Sequence, residues 1–132
     1  DPAMQKLLAF SSDRLTYEEG QLMFNAGDPP DSAYIVMEGE VDITVPTAKG
    51  PLLVNTLTRN DVIGEIGIFG DVPRTATAVA RTRVEALRIS RDVFVNVIRS
   101  NPDAAIALVK ILADRLAKTT AQLRRMAAES SR

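Results

Sequence analysis

Neither cysteine nor histidine occurs anywhere in the 132 residues. Their absence removes disulfides, thiol nucleophiles, iron–sulfur ligation, histidine-based zinc or haem sites and any serine–histidine–aspartate triad. A chain without cysteine fits a reducing compartment, and a cytoplasmic location is the expectation. Long apolar runs are missing too. None nears the roughly 20 residues that cross a bilayer, so no membrane partner is expected within this chain. No basic stretch leading into an apolar core marks a secretory signal. The chain opens on Asp1 rather than methionine, so we expect a sequence that is trimmed, processed or excised from something larger.

Charge of one sign is also scarce. The 16 Lys+Arg and 17 Asp+Glu leave a net charge of -1. A protein that grips nucleic acid through phosphates is usually basic overall or on one face. Here only Lys110, Arg115, Lys118, Arg124 and Arg125 gather, near the C-terminus, and they read as the solvated side of a helix. No nucleic-acid partner is expected for this chain by itself. No clustered acidic motif suggests carboxylate catalysis or magnesium, so no catalytic residue and no metal site is assigned.

What is present is the composition of an ordinary globular domain, 45% hydrophobic and 25% charged. The length suits one core, and residues 1–132 are read as a single domain. Its first two-thirds, about 14–89, is β in character. Leu22–Phe24 precedes a loop of glycine, prolines and aspartates, "NAGDPPD". "AYIVME" (33–38) has strand composition. After Gly39, the residues Val41, Ile43 and Val45 alternate with Glu40, Asp42 and Thr44, a period of two with one face buried. A turn at 46–50, a strand at 51–57 and strands at 75–80 and 84–89 complete an antiparallel sandwich or jelly-roll-like β-roll.

The remainder, about 90–128, is helical. Ser90 is placed to cap a short helix with Val93, Phe94, Val97 and Ile98 as its apolar stripe. "NPD" (101–103) then supplies a cap, a proline at the first helical position and an acid in the first turn. The long helix that follows carries Val109, Leu112, Leu116, Thr119, Leu123 and Met126, alternately three and four apart. Up to Leu116 this stripe is expected to pack on its own domain. Beyond Thr119 a roll has little surface left to cover it, so a homodimer through this helix is expected.

One stretch carries chemistry: "GEIGIFGDVPRTATAVA" (64–80). Ile66, Ile68 and Phe69 look like a buried apolar turn. Gly64 and Gly67 allow backbone amides to approach a ligand, and a helical turn from Glu65 would offer free N–H groups to an anion. Arg74 suits a phosphate through paired hydrogen bonds, while Glu65 is an acceptor suited to a sugar hydroxyl. A ligand with one phosphate and one free ribose hydroxyl satisfies both.

This stretch closely resembles the phosphate-binding cassette of cyclic-nucleotide-binding domains, the modules of the catabolite activator protein, cyclic-nucleotide-dependent kinases and gated channels. "GQLMFNAGDPPDSAYIVMEGEVDI" (20–43) is similar to the family's upstream strands and "GEV" hairpin. The likeness runs from about Leu15 to Met126. It implies that Glu65 binds the ribose 2'-hydroxyl, helped by backbone at Gly64, Ile66 and Gly67. Arg74 would hold the cyclic phosphate, and Thr75 would reach the phosphate or the base. Ile43 and Val54 match positions that line the base pocket. "LADRLAKTTAQL" (112–123) resembles the activator's long helix, where two adjacent hydroxyl residues meet the adenine amino group, one of them from the partner subunit. Thr119 and Thr120 hold those places. Asn60 and Ile63 depart from the family's usual glycine and aromatic without touching a ligand position. The activator's helix-turn-helix unit has no counterpart in this sequence.

Thr75 also resembles cGMP-selective members, whereas the helix threonines favour adenine. The reading is a regulatory domain with cAMP as ligand, cGMP as the alternative, no bound cofactor, and output through movement of the long helix. A nucleotide-independent dimerisation module, an enzyme and a haem or redox sensor are the other classes. Intact Glu65 and Arg74 speak against the first; the missing His and Cys speak against the other two.

Overall fold

The computed structural model describes residues 13–130. Eight strands come first: β1 (Asp13–Tyr17), β2 (Leu22–Phe24), β3 (Ser32–Glu38), β4 (Val41–Thr47), β5 (Gly50–Leu57), β6 (Val62–Ile63), β7 (Thr77–Ala80) and β8 (Val84–Ser90). A short helix, α1 (Glu65–Gly70), interrupts them after β6; α2 (Arg91–Ser100) and α3 (Pro102–Ser130) follow β8. The strands form two antiparallel sheets, in the orders β1-β8-β3-β6 and β2-β7-β4-β5. The expected β-roll, short helix and long C-terminal helix are all there.

β3 explains why part of the pattern shows no alternation. Tyr34 and Val36 pack into the core between the sheets, with Val41, Leu57, Ala78 and Val84. Ala33 and Ile35 pack on the opposite face, under the helices, with Ile89, Phe94, Val97, Ala104 and Leu108. A strand buried on both faces needs apolar residues at every position. Phe94, fully buried there, contributes about 1.5–3 kcal/mol by burial.

β4 and β5 behave differently. Val41 is buried, but Ile43 and Val45 are only half-buried, because they face a cavity rather than core. In β5 the ladder slips: Asn55 stands opposite Ile43, yet Leu53 stands opposite Thr44. Val54 is the extra residue of a β-bulge, which rotates the strand locally.

Helix starts follow local chemistry with one exception. The N–H of Ala104 donates to Asn101 Oδ1 at 3.0 Å, Pro102 opens α3, and Asp103 sits in its first turn. Ser90 occupies the N-cap of α2, but its side chain makes no capping bond. The N–H of Arg91 donates instead to the carbonyl of Asp31 at 3.0 Å.

Ala104, Ala107 and Leu108 are the buried positions of α3. Val109, expected to pack on its own domain, is 64% exposed. It lies one residue, roughly 100°, round the helix from Leu108, and so leaves the face that meets α2. Leu112 is half-buried as expected, whereas Leu116, Leu123 and Met126 are exposed. Among the described residues no helix is long and apolar enough to cross a membrane.

Candidate functional site

Helix α1 starts abruptly. Gly64 takes φ 92°, a left-handed conformation that turns the chain out of β6 and into the helix. A Cβ at Gly64 would stand 2.2 Å from Nη1 of Arg74. The left-handed backbone already favours glycine here, and a side chain would also have to displace the guanidinium packed against it. A Cβ at Gly67 would meet Pro30 Cβ at 2.9 Å and the carbonyl of Val72 at 3.1 Å, so this glycine seats the helix on the "DPPD" loop.

The turn is not buried as a whole. Ile68 is buried, but Ile66 and Phe69 are about half exposed. Residues three apart share one face of a helix, and here that face points away from the β3 side. Phe69 still leans on Phe94 of α2, ring centroids 5.5 Å apart.

Glu65, the first residue of α1, is only 1% exposed. Its Oε1 accepts from Nη1 of Arg115 at 2.8 Å. Arg115 also donates from Nη2 to the carbonyl of Val62. Oε2 of Glu65 is buried and has no hydrogen-bond partner among the described residues. Burial pushes the Glu65 carboxyl above the usual carboxylate range, and the charge of Arg115 pulls it partly back.

Arg115 overturns one expectation. It is not on a solvated face: its side chain is 18% exposed and closes on Glu65 from α3. Charge composition gave no hint of this, but spacing did. Arg115 precedes Thr119 by four residues, so both share one helix face.

Arg74 is 4% exposed. Backbone bonds fix its position: its N–H donates to the carbonyl of Asp28, and its carbonyl accepts from the N–H of Gly27, both at 2.8 Å. The guanidinium lies over Phe24, 4.2 Å from the ring centroid, a cation–π contact. Its donors reach Gly64 O and Asp31 Oδ1 at 3.3 Å and Ser32 Oγ at 3.4 Å. All three exceed the usual 2.7–3.2 Å, and Nε is buried with no partner among the described residues. This cation is held, but loosely.

Between these groups lies a cavity of about 340 Å³. Gly64, Glu65, Ile66, Gly67, Arg74 and Thr75 line it from the α1–β7 segment, Ile43 and Val54 from the second sheet, and Thr119 from α3. Nine of the ten residues singled out in the sequence thus share one wall system. Thr120 does not line it and is exposed. Arg115, Asn55, Phe24 and Val45 line it as well. The arrangement offers one buried cation, one buried carboxylate with a free oxygen, and an apolar floor. No group of His, Cys, Asp or Glu among the described residues is placed to hold a metal ion.

Comparison with known proteins identifies the family. Residues 14–101 match the family described as "Cyclic nucleotide-binding domain". A "CRP-like cAMP-activated global transcriptional regulator" of Mycobacterium tuberculosis is 33% identical over 109 residues, covering 81% of this chain and 48% of that protein. A cAMP-dependent protein kinase regulatory subunit of Aspergillus niger is 33% identical over 93 residues, covering 70% of this chain and 22% of the subunit. This chain therefore spans half or less of the length of either relative. Among solved structures, a global regulator of Xanthomonas campestris described as c-di-GMP responsive superimposes with a TM-score of 0.83 at 27% identity. That match covers 96% of this chain and 64% of the regulator.

Proposed function

The chain belongs to the cyclic nucleotide-binding domain family, and from that premise we propose that it binds cAMP in the cavity beneath α1 and reports occupancy through α3. The observation that carries this reading is the pair of buried groups, Glu65 and Arg74, which line one small cavity and each keep a buried polar atom without a hydrogen-bond partner among the described residues.

A cyclic phosphate would displace the long contacts of Arg74 with Gly64, Asp31 and Ser32 and replace them with shorter, charge-assisted ones. The ribose 2'-hydroxyl would donate to Oε2 of Glu65. The base would then lie along Ile43 and Val54, within reach of Thr75 and Thr119. Because Arg115 holds Glu65 from α3, any shift of the carboxylate toward the ribose changes what α3 is bonded to. Binding thus biases a population of α3 arrangements, which is the regulatory output. No step makes or breaks a covalent bond, so no enzymatic activity is proposed. Net charge of -1 offers no general attraction to nucleic acid.

The exposed stripe of Val109, Leu116 and Leu123 supports a homodimer through α3, in which Thr120 would reach the partner's site. Thr119→Ala should weaken cAMP binding about fivefold, the worth of one neutral hydrogen bond of about 1 kcal/mol. Thr120→Ala should do so only at concentrations where sedimentation shows dimer. An equal effect of Thr120→Ala on the monomer would sink this assignment.

Cyclic GMP is the second reading, favoured by the hydroxyl of Thr75 at the cavity. Calorimetric titration of refolded, nucleotide-free chain with cAMP, cGMP and c-di-GMP separates the possibilities. Micromolar or tighter binding of cAMP alone is expected; no binding of any cyclic nucleotide would refute the reading. Affinity should also fall on acidification. Protonation of Glu65, at a pH above its ordinary 4.5, removes the acceptor for the ribose. Its effect on stability runs the other way. A carboxyl whose value is raised by folding favours the fold below 4.5 and loses that contribution as pH rises through the folded value.

A further inference from the structure

The proposed nucleotide leaves one polar group in the cavity without a task. Glu65 and Arg115 form a pair, Arg74 takes the phosphate, and the two threonines carry hydroxyls. Asn55, on β5, lines the same cavity from a wall otherwise built of Val54, Leu57 and Ile43.

Its presence there depends on the bulge. In a regular strand neighbouring side chains face opposite ways, yet Val54 and Asn55 are consecutive and both line the cavity. The register slip between Ile43 and Thr44 of the partner strand permits this. Asn55 is half-buried, and its Oδ1 accepts from the N–H of Thr56 at 3.0 Å. A backbone N–H can only donate, so this bond also fixes which end of the amide is oxygen. The other end, Nδ2 with two N–H donors, bonds to no protein group among the described residues and is not one of the buried unpartnered atoms, so its donors stay open to a ligand.

We infer that Asn55 is a base-reading residue: its Nδ2 donates to an acceptor nitrogen of the purine ring held against Ile43 and Val54. This rests on the cyclic-nucleotide reading above and adds to it a recognition group on the sheet side of the site. A purine suits such a donor because its ring carries unprotonated nitrogens at its edges, and an aliphatic wall cannot distinguish them.

The test pairs substitutions with altered ligands, using the full 132-residue chain. Asn55→Asp keeps an oxygen for Thr56 but exchanges the donor for a negatively charged acceptor. Asn55→Ala removes both. Each should weaken cAMP about fivefold or more, with the melting temperature of Asn55→Asp close to that of the unaltered chain. Titration with 1-deaza, 3-deaza and 7-deaza cAMP then identifies the atom. One analogue should bind the unaltered chain about fivefold more weakly than cAMP does, and should lose that penalty against Asn55→Ala. If Asn55→Asp binds cAMP as well as the unaltered chain does, or if every deaza penalty survives in Asn55→Ala, Asn55 serves only the bulge and the inference fails. Should the unaltered chain bind no cyclic nucleotide, both this inference and its premise fall; binding that ignores Asn55 removes this inference alone.

Discussion

Replacing Arg74 with alanine should abolish most cAMP binding, a loss of about 2–5 kcal/mol, or roughly thirty- to several-thousand-fold in affinity. The size follows from where the side chain is. It is almost wholly buried, its bonds to Gly64, Asp31 and Ser32 are long, and Nε has no partner among the described residues. An arriving phosphate therefore gains short bonds without breaking strong ones. Arg74→Lys should recover little, because a point charge cannot reproduce the paired geometry of a guanidinium or lie flat over Phe24. Calorimetry gives the affinity, and thermal melting confirms that the variant is folded. If Arg74→Ala binds as well as Thr120→Ala does, the phosphate is not held here.

The second large effect should come from a residue outside the cassette. Arg115→Met removes the only cation bonded to the Glu65 carboxylate among the described residues, and breaking a buried pair costs about 3–5 kcal/mol. The lower end is expected, since Glu65 escapes part of the penalty by taking up a proton; burial already pushes it in that direction. For a domain of this size that corresponds to a fall of roughly 10 °C in melting temperature. Affinity for cAMP should fall with it, because Arg115 no longer fixes the Glu65 carboxylate as an acceptor for a ribose hydroxyl. The double variant Glu65→Gln/Arg115→Met should regain much of the stability but not the affinity, as two neutral groups need no counter-charge. An unchanged melting temperature and affinity in Arg115→Met would mean that α3 is not coupled to the site.

How much was legible beforehand depends on the range of the interaction involved. β4 announced itself through the period of two at Val41, Ile43 and Val45, which share one face of the strand although only Val41 is buried. The start of α3 was equally plain, since the Asn101 cap and Pro102 act within one turn of chain. The cassette could be recognised because its glycines, Glu65 and Arg74 lie within eleven residues of sequence. Ile66 and Phe69 misled, because hydrophobicity does not say which side of a one-and-a-half-turn helix has a neighbour. Val109 misled in the same way: a heptad stripe marks a face without saying what covers it.

Sequence alone determined the roll-then-helix order, the membership of the cassette and the exclusion of thiol and imidazole chemistry, all of which rest on residue identity and short spacing. Tertiary structure decided the rest. It brought Arg115 across 50 positions of sequence onto Glu65, turned Asn55 into the cavity through a bulge, and left Thr120 outside. Each of these depends on how sheets and helices pack, and free energies of packing are set by neighbours distant along the chain. A charged residue on a helix reads the same whether water or a buried carboxylate stands opposite it; only the fold supplies the partner.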